Sequence, residues 1–99
     1  MALMQISVVP IGTDSTSASR YVADFQKVLA STNLPFTLTD MATIIEGDTT
    51  ELLALAAKIN EIPFKNGVQR VLTAISIDDR RDKKVHLGDK VKSVQDKLA

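Results

Sequence analysis

One carboxylate stands out in this 99-residue chain because of its position in the sequence. Glu46 ends the stretch Thr43-Ile44-Ile45-Glu46, whose β-branched residues favour a strand. Gly47 predicts a turn after it, and Asp48 or Thr49 can cap the helix that follows. Glu46 is therefore expected where a strand passes into a loop, a position rigid enough to aim a side chain at a ligand.

Neutral hydrogen-bonding side chains are expected to accompany Glu46. Thr43 lies three residues earlier, and Gln5 and Ser7 belong to a first strand that should lie beside this one in the sheet. Such a set with one carboxylate suits a small heterocycle that carries an amino group or a positive charge. The alternative is an ordinary solvated carboxylate at the end of a strand.

Gly12 and Gly47 each follow a predicted strand and precede a predicted helix, which is the setting of phosphate-binding turns. Neither belongs to a Gly-x-Gly-x-x-Gly or Gly-Lys-Ser/Thr motif. A turn glycine is therefore the simpler interpretation of each.

Three arginines flank the last predicted strand, with Arg70 at its start and Arg80 and Arg81 just after its end. Surface charge is the default interpretation of all three. The alternative is contact with an anion or a second subunit, because a guanidinium group binds carboxylates and phosphates in a bidentate way.

No set of residues predicts catalysis or a bound metal. His86 is the single histidine, has no nucleophile partner in a recognisable motif, and is interpreted as a surface residue. Asp78, Asp79 and Asp82 alternate with Arg80 and Arg81, which would neutralise them, so no metal site is expected. The chain contains no cysteine, which excludes disulfides and thiolate chemistry.

Charge and hydropathy also exclude some partners. Lys+Arg and Asp+Glu number 12 each, and aromatic residues make up 4% of the chain, so no basic, aromatic-rich face for nucleic acid is expected. No apolar run approaches the roughly 20 residues of a membrane span. No signal peptide is visible either, and a cytoplasmic location is expected.

The order of predicted elements indicates one α+β domain. Strand and helix patterns alternate as β-α-β-β-α-β, followed by a C-terminal helix, with short links that make neighbouring strands antiparallel. The favoured arrangement is a ferredoxin-like sandwich, a four-stranded antiparallel sheet with two helices on one face. The predicted elements are Leu3–Val9, a helix from about Ser17 to about Ala30 that Asn33 and Pro35 end, Phe36–Thr39, Thr43–Glu46, a helix from about Thr50 that Pro63 and Gly67 end, Arg70–Asp78, and a helix bearing Leu87, Val91, Val94 and Leu98.

This fold leaves one sheet face without helices. That face would carry Gln5, Ser7, Leu72, Ala74 and Ser76, a set of small and mixed side chains. It is too apolar for a comfortable contact with water, so burial against a second copy of the chain is expected.

Five segments, in order along nearly the whole chain, carry a resemblance to a known family. They are Val8-Val9-Pro10-Ile11-Gly12-Thr13, Met41-Ala42-Thr43-Ile44-Ile45-Glu46-Gly47-Asp48, Gly67-Val68-Gln69-Arg70-Val71, Ile77-Asp78-Asp79-Arg80-Arg81-Asp82 and Lys90-Val91. Together they resemble the small thiamine-binding proteins of ferredoxin-like fold, a conserved family long without an assigned function. The resemblance implies dimers formed through sheets, often paired into tetramers, and binding of thiamine or its hydroxymethylpyrimidine part without catalysis or a cofactor.

The resemblance places Thr43 and Glu46 in the binding region, with Gly47 shaping it and Gly12 contributing. Glu46 would accept a hydrogen bond from the aminopyrimidine or offset the thiazolium charge. Phe36 is the aromatic residue left for stacking on the ligand. One alternative is a structural or regulatory homo-oligomer without a small-molecule ligand. A weaker one is an enzyme acting on a pyrimidine or thiazole precursor.

Overall fold

The computed structural model describes residues 1–12 and 19–99 of the chain. Within these ranges there are four strands and three helices. They are β1 (Ala2–Pro10), α1 (Ser19–Thr32), β2 (Phe36–Leu38), β3 (Thr43–Gly47), α2 (Thr49–Lys65), β4 (Val71–Asp79) and α3 (Asp89–Leu98).

The four strands form one antiparallel sheet in the order β2-β3-β1-β4. β1 pairs with β3 on one side and with β4 on the other, so that Leu3 lies opposite both Glu46 and Asp78. This order, with α1 and α2 in the two crossovers, is that of the ferredoxin-like sandwich. The predicted fold class is confirmed.

The core lies between the sheet and helices α1 and α2. Alternate side chains of β1, such as Met4 and Ile6, are buried there, as the period of two predicts. Leu29 of α1, Ile45 of β3 and Leu52 of α2 pack into the same cluster. The opposite side of the sheet, called the open face below, carries Leu3, Gln5, Ser7 and Val9 of β1, Ile44 and Glu46 of β3, and Leu72, Ala74, Ser76 and Asp78 of β4.

Gly47 does not form the predicted turn. β3 continues through Gly47, which is buried and does not have a positive φ, and Asp48 is the N-cap of α2. A Cβ atom at this position would lie 3.3 Å from Cδ2 of Leu52 and 3.4 Å from Cδ1 of Leu34. The glycine is therefore explained by close packing between strand and helix, and the prediction that the strand stops at Glu46 was wrong by one residue.

Pro63 does not end α2, as the sequence predicted, but lies inside the helix, which continues to Lys65. Pro63 lacks the N–H that would donate to the carbonyl four residues earlier, and the helix ends only two residues after it. The N–H groups of Asn66 and Val68 donate to the Pro63 carbonyl and close the last turn.

The start predicted for the first helix, Ser17, lies outside the described residues, as does most of the cap-rich stretch 15–19. At its other end α1 runs two residues beyond the predicted Ala30. Asn33 follows with φ of 61°, a left-handed conformation typical of a residue just after a helix. The prediction that Asn33 ends this helix is confirmed.

Candidate functional site

Glu46 lies on the open face and is nevertheless buried, with only 5% of its surface exposed. The residues just before α3 cover it. The backbone N–H of Leu87 donates to Oε1 of Glu46 at 2.7 Å, a contact between residues 41 positions apart. A hydrogen bond to an ionised carboxylate is among the stronger ones in proteins, so it holds residues 85–95, called the C-terminal segment below, against β3.

His86 is the second residue that this segment brings to Glu46. Its Nδ1 lies 3.3 Å from Oε1 of Glu46, while 57% of the side chain remains exposed. The backbone N–H of His86 donates to Oδ2 of Asp89 at 2.8 Å, which ties the residue to the first turn of α3. Both the ring and the backbone of His86 are thus held in place, while more than half of the side chain remains exposed.

A cleft of about 540 Å³ lies between the open face and the C-terminal segment, and is called the C-terminal cleft below. Its volume falls in the usual range for small-molecule sites, and most of its lining is apolar. Its sheet side is lined by Leu3, Thr37, Thr39 and Ile44, and its other side by Val85, His86, Leu87, Gly88, Lys90, Val91, Lys92 and Gln95.

Carboxylates and lysines surround this cleft. Asp78 shares the row of Leu3 and Glu46 across the open face, and its Oδ2 lies 3.9 Å from Nζ of Lys90. At that distance between exposed groups the attraction is weak. The cleft therefore combines an apolar surface with one nearly buried negative charge and the exposed positive charges of Lys90 and Lys92.

Asp79 connects the same end of the sheet to α2. Its Oδ2 accepts a hydrogen bond from Thr49 at 2.7 Å and another from Arg81 at 2.8 Å. The Arg81 guanidinium, and then the Thr49 hydroxyl, lower the pKa of Asp79 to about 2. Asp79 therefore stays ionised in the folded chain well below the pH at which a free aspartate takes up a proton.

A second cleft, of about 550 Å³, lies at the other end of the sheet and is called the Arg70 cleft below. Gly12, Tyr21 and Arg70 line it, together with Ile11 and the segment 66–69 after α2. Along β1, Pro10 is seven residues from Leu3, which is roughly 23 Å at about 3.3 Å per residue. The two clefts are therefore separate places in the molecule.

The predicted site residues do not all meet. Gln5 shares the open face with Glu46, where it lies opposite Ile44. Thr43 points to the helix side, since it pairs with the buried Ile6, and the odd spacing of three separates it from Glu46. Thr43 and Ser7 instead both line a smaller cleft, of about 340 Å³, around the turn between β2 and β3.

The remaining predicted residues lie apart from Glu46 or have other contacts. Gly12 and Arg70 belong to the Arg70 cleft. Arg80 binds Asp82 through two hydrogen bonds of 2.6 and 2.9 Å, and Arg81 binds Asp79 at 3.2 and 2.8 Å. These local ion pairs occupy both guanidinium groups within the charged loop.

Phe36 was expected to be available for stacking on a ligand, and the structure contradicts this. It lies opposite Ile45 in the sheet, on the helix side, and packs against the core. The register decides this, because Phe36 and Ile44 fall on opposite faces of the sheet.

Sequence reasoning missed the role of His86 and of the Leu87 N–H. A backbone N–H donor cannot be recognised from the type of its residue. A single histidine after a charged loop is typical of a surface residue. The signal that could have found them is a carboxylate on the open face, since its burial requires a covering segment with donors.

Two kinds of feature are absent from residues 1–12 and 19–99. None of the helices there is long and apolar enough to cross a bilayer. Nor does any group of three or more histidine or acidic side chains among residues 1–12 and 19–99 form a candidate metal site.

The fold and this site together describe a ferredoxin-like domain with a small-molecule-sized cleft beside a buried carboxylate. The profile of the family described as "Thiamine-binding protein" matches residues 4–95, and the chain belongs to that family.

Relatives from bacteria and archaea agree with this assignment. The UPF0045 protein YqgV of Bacillus subtilis is 46% identical, over 99% of this chain and 98% of its own. A UPF0045 protein of Methanothermobacter thermautotrophicus is 38% identical over 99% of this chain and all of its own. The crystal structure of the hypothetical protein MJ1052 of Methanocaldococcus jannaschii superposes with a TM-score of 0.83, at 29% identity and 95% coverage of both chains.

Proposed function

We propose that this protein binds thiamine, or its hydroxymethylpyrimidine part, in the C-terminal cleft and does not transform it. The observation that carries the proposal is the buried Glu46 carboxylate beside an apolar cleft of about 540 Å³. A flat ring fits the apolar surface of Leu3 and Ile44, and a cationic thiazolium is attracted by a nearby negative charge that water screens poorly. Membership of the thiamine-binding protein family supports the same ligand.

The absence of a nucleophile hydrogen-bonded to a base among the described residues that line the cleft supports binding without catalysis. Within the described residues the cleft is lined by no serine and no acidic side chain, and its one histidine lies beside a carboxylate that also holds the backbone. This arrangement offers hydrogen bonds and charge, but no activated attacking group.

The open face supports a subunit interface close to the cleft. Val9 and Leu72 are partners in the register and are 49% and 62% exposed, and the next pairs along the strands are Ser7 with Ala74 and Gln5 with Ser76. This flat, uncharged strip suits a second copy of the same face, because identical patches can meet about a two-fold axis. The protein is then a homodimer, or a homotetramer made of two dimers, with the ligand held near the interface.

The experiment is thermal unfolding with and without millimolar thiamine, thiamine phosphates or hydroxymethylpyrimidine, followed by calorimetric titration of the compound that stabilises most. A ligand at 100 times its Kd adds about 2.7 kcal/mol, which raises the Tm of a domain of this size by several degrees. Glu46→Gln should weaken thiamine binding at least tenfold, since it removes the nearly buried charge but keeps an oxygen for the Leu87 N–H. Glu61→Gln, the same change at an exposed position of α2, is the matched control.

A wild-type protein whose Tm none of these compounds raises would contradict the proposal. It would favour the alternative, a structural or regulatory oligomer that binds protein through its open face. That alternative has its own test, because Ala74→Arg should then dissociate the oligomer in sedimentation velocity while no small molecule stabilises the fold.

A further inference from the structure

Glu46 and His86 face the C-terminal cleft differently. Glu46 is not among the residues that line it, and its Oε1 already accepts the Leu87 N–H. His86 lines the cleft and keeps more than half of its side chain exposed. A ligand in this cleft therefore meets the imidazole, with the carboxylate behind it.

The carboxylate of Glu46 also determines which tautomer of the His86 imidazole is favoured. Oε1 of Glu46 lies 3.3 Å from Nδ1, and two facing lone pairs would repel, so the hydrogen of a neutral ring is favoured on Nδ1. The other ring nitrogen, Nε2, then carries the free lone pair and points away from Glu46. A buried carboxylate that sets the tautomer of a histidine is a recurring device where the second nitrogen has to bind something.

We propose that Nε2 of His86 accepts a hydrogen bond from an exocyclic amino group of the ligand, and that Glu46 is the positioning residue that holds the ring for this purpose. The inference rests on the proposed function and assigns the part of the ligand that is recognised, namely an amino group on a flat heterocycle such as an aminopyrimidine. Leu3, Ile44 and Leu87 supply the apolar surface beside it. An oxygen in place of the amino group would face the Nε2 lone pair without a hydrogen between them, and would bind less well.

The test compares thiamine with its analogue in which the pyrimidine amino group is replaced by oxygen, by calorimetric titration of the full chain. The wild type should prefer the amino form by roughly tenfold, the value of one lost hydrogen bond in a largely apolar site. His86→Asn should remove most of this preference, because its amide nitrogen lies near the position of Nδ1 and leaves nothing at Nε2. His86→Gln, whose longer side chain reaches the Nε2 position, should retain part of it, and Lys84→Ala, an exposed neighbour that does not line the cleft, should retain all of it.

The positioning role of Glu46 has a readout that needs no ligand. His86 is the only histidine of the chain, so ¹⁵N labelling of histidine gives one imidazole, whose nitrogen shifts report its tautomer. The neutral ring should carry its hydrogen on Nδ1 in the wild type and shift toward Nε2 in Glu46→Leu, which removes the acceptor oxygen beside Nδ1. The exposure of His86 makes a folding defect in its variants unexpected, and Tm measurements check this.

Each failure points to a different error. If the wild type binds neither thiamine nor its oxygen analogue, the proposed function is overturned, and this inference with it. If the wild type prefers the amino form and His86→Asn prefers it equally, only the role of Nε2 is overturned. A wild-type ring with its hydrogen on Nε2 would overturn the positioning role of Glu46.

Discussion

The C-terminal cleft and the Arg70 cleft have nearly equal volumes, about 540 and 550 Å³, yet they offer different chemistry. The first is mostly apolar and lies beside a carboxylate that a distant segment covers. The second has a more polar lining that includes the cationic Arg70, and it opens around Gly12, where a Cβ atom would meet nothing within 4 Å. Volume therefore does not separate the two clefts, whereas a nearly buried charge beside one of them does.

The difference arises from what covers each end of the sheet. At the Glu46 end, residues 85–88 lie against the open face through the Leu87 N–H and the His86 ring, although α3 itself buries no side chain. The cover is thus attached by a few directed contacts and not by a large apolar interface. Such a wall can adjust to a ligand at small cost, because few buried contacts have to break.

The largest effect that we expect is a loss of stability, and it should differ between the two ends of the sheet. Ile45→Ala removes a fully buried side chain next to Glu46 and should lower the free energy of unfolding by about 2–5 kcal/mol. Ile11→Ala, at the half-buried wall of the Arg70 cleft, should cost less than half as much, because less apolar surface returns to water. Urea unfolding of both variants measures this, and equal losses would show that the Arg70 end is packed as tightly as the Glu46 end.

A smaller effect concerns ligand binding alone. Arg70→Gln should change the affinity for thiamine by less than about twofold, since a charge that is roughly 23 Å away is screened at physiological salt. Glu46→Gln in the same titration should lose at least tenfold, as proposed above. A loss in Arg70→Gln as large as that in Glu46→Gln would place the ligand in the Arg70 cleft and reverse the comparison.

The smallest effect is the response of the Glu46 end to acid. The pKa of Asp79 is lowered to about 2 by Arg81 and Thr49, whereas an unfolded aspartate takes up its proton near pH 3.8. The stabilising contribution of Asp79 is therefore complete above about pH 4 and is lost as the pH falls from there toward 2.

Asp79→Asn should thus lower Tm slightly at pH 7, by a degree or two at most because the ion pair is solvated, and the difference from wild type should shrink below pH 4. Asp24→Asn, on α1, serves as the control, since no hydrogen bond or ion pair of its side chain occurs within the described residues. A Tm difference between Asp79→Asn and wild type that persists unchanged down to pH 2.5 would contradict the assignment.

Much of the fold could be predicted from the sequence because its signals are local. The alternation of Met4, Ile6 and Val8 indicated which side of β1 is buried, and Asn33 marked the end of α1. Predictions that relied on one residue type as a breaker were less secure. Pro63 lies within α2 and Gly47 within β3, because position in the last turn and close packing against Leu52 outweighed the usual preference of each residue.

The sequence by itself determined the order of strands and helices, the buried side of each, and the presence of a carboxylate at the end of β3. Only the tertiary structure decided which residues share a site. Strand register placed Thr43 and Phe36 on the face opposite Glu46. The fold of the chain after β4 brought Leu87 and His86, about 40 residues away in the sequence, into contact with Glu46. The physical reason is that periodicity acts over neighbouring residues, whereas burying a charged group requires donors from wherever the folded chain can supply them.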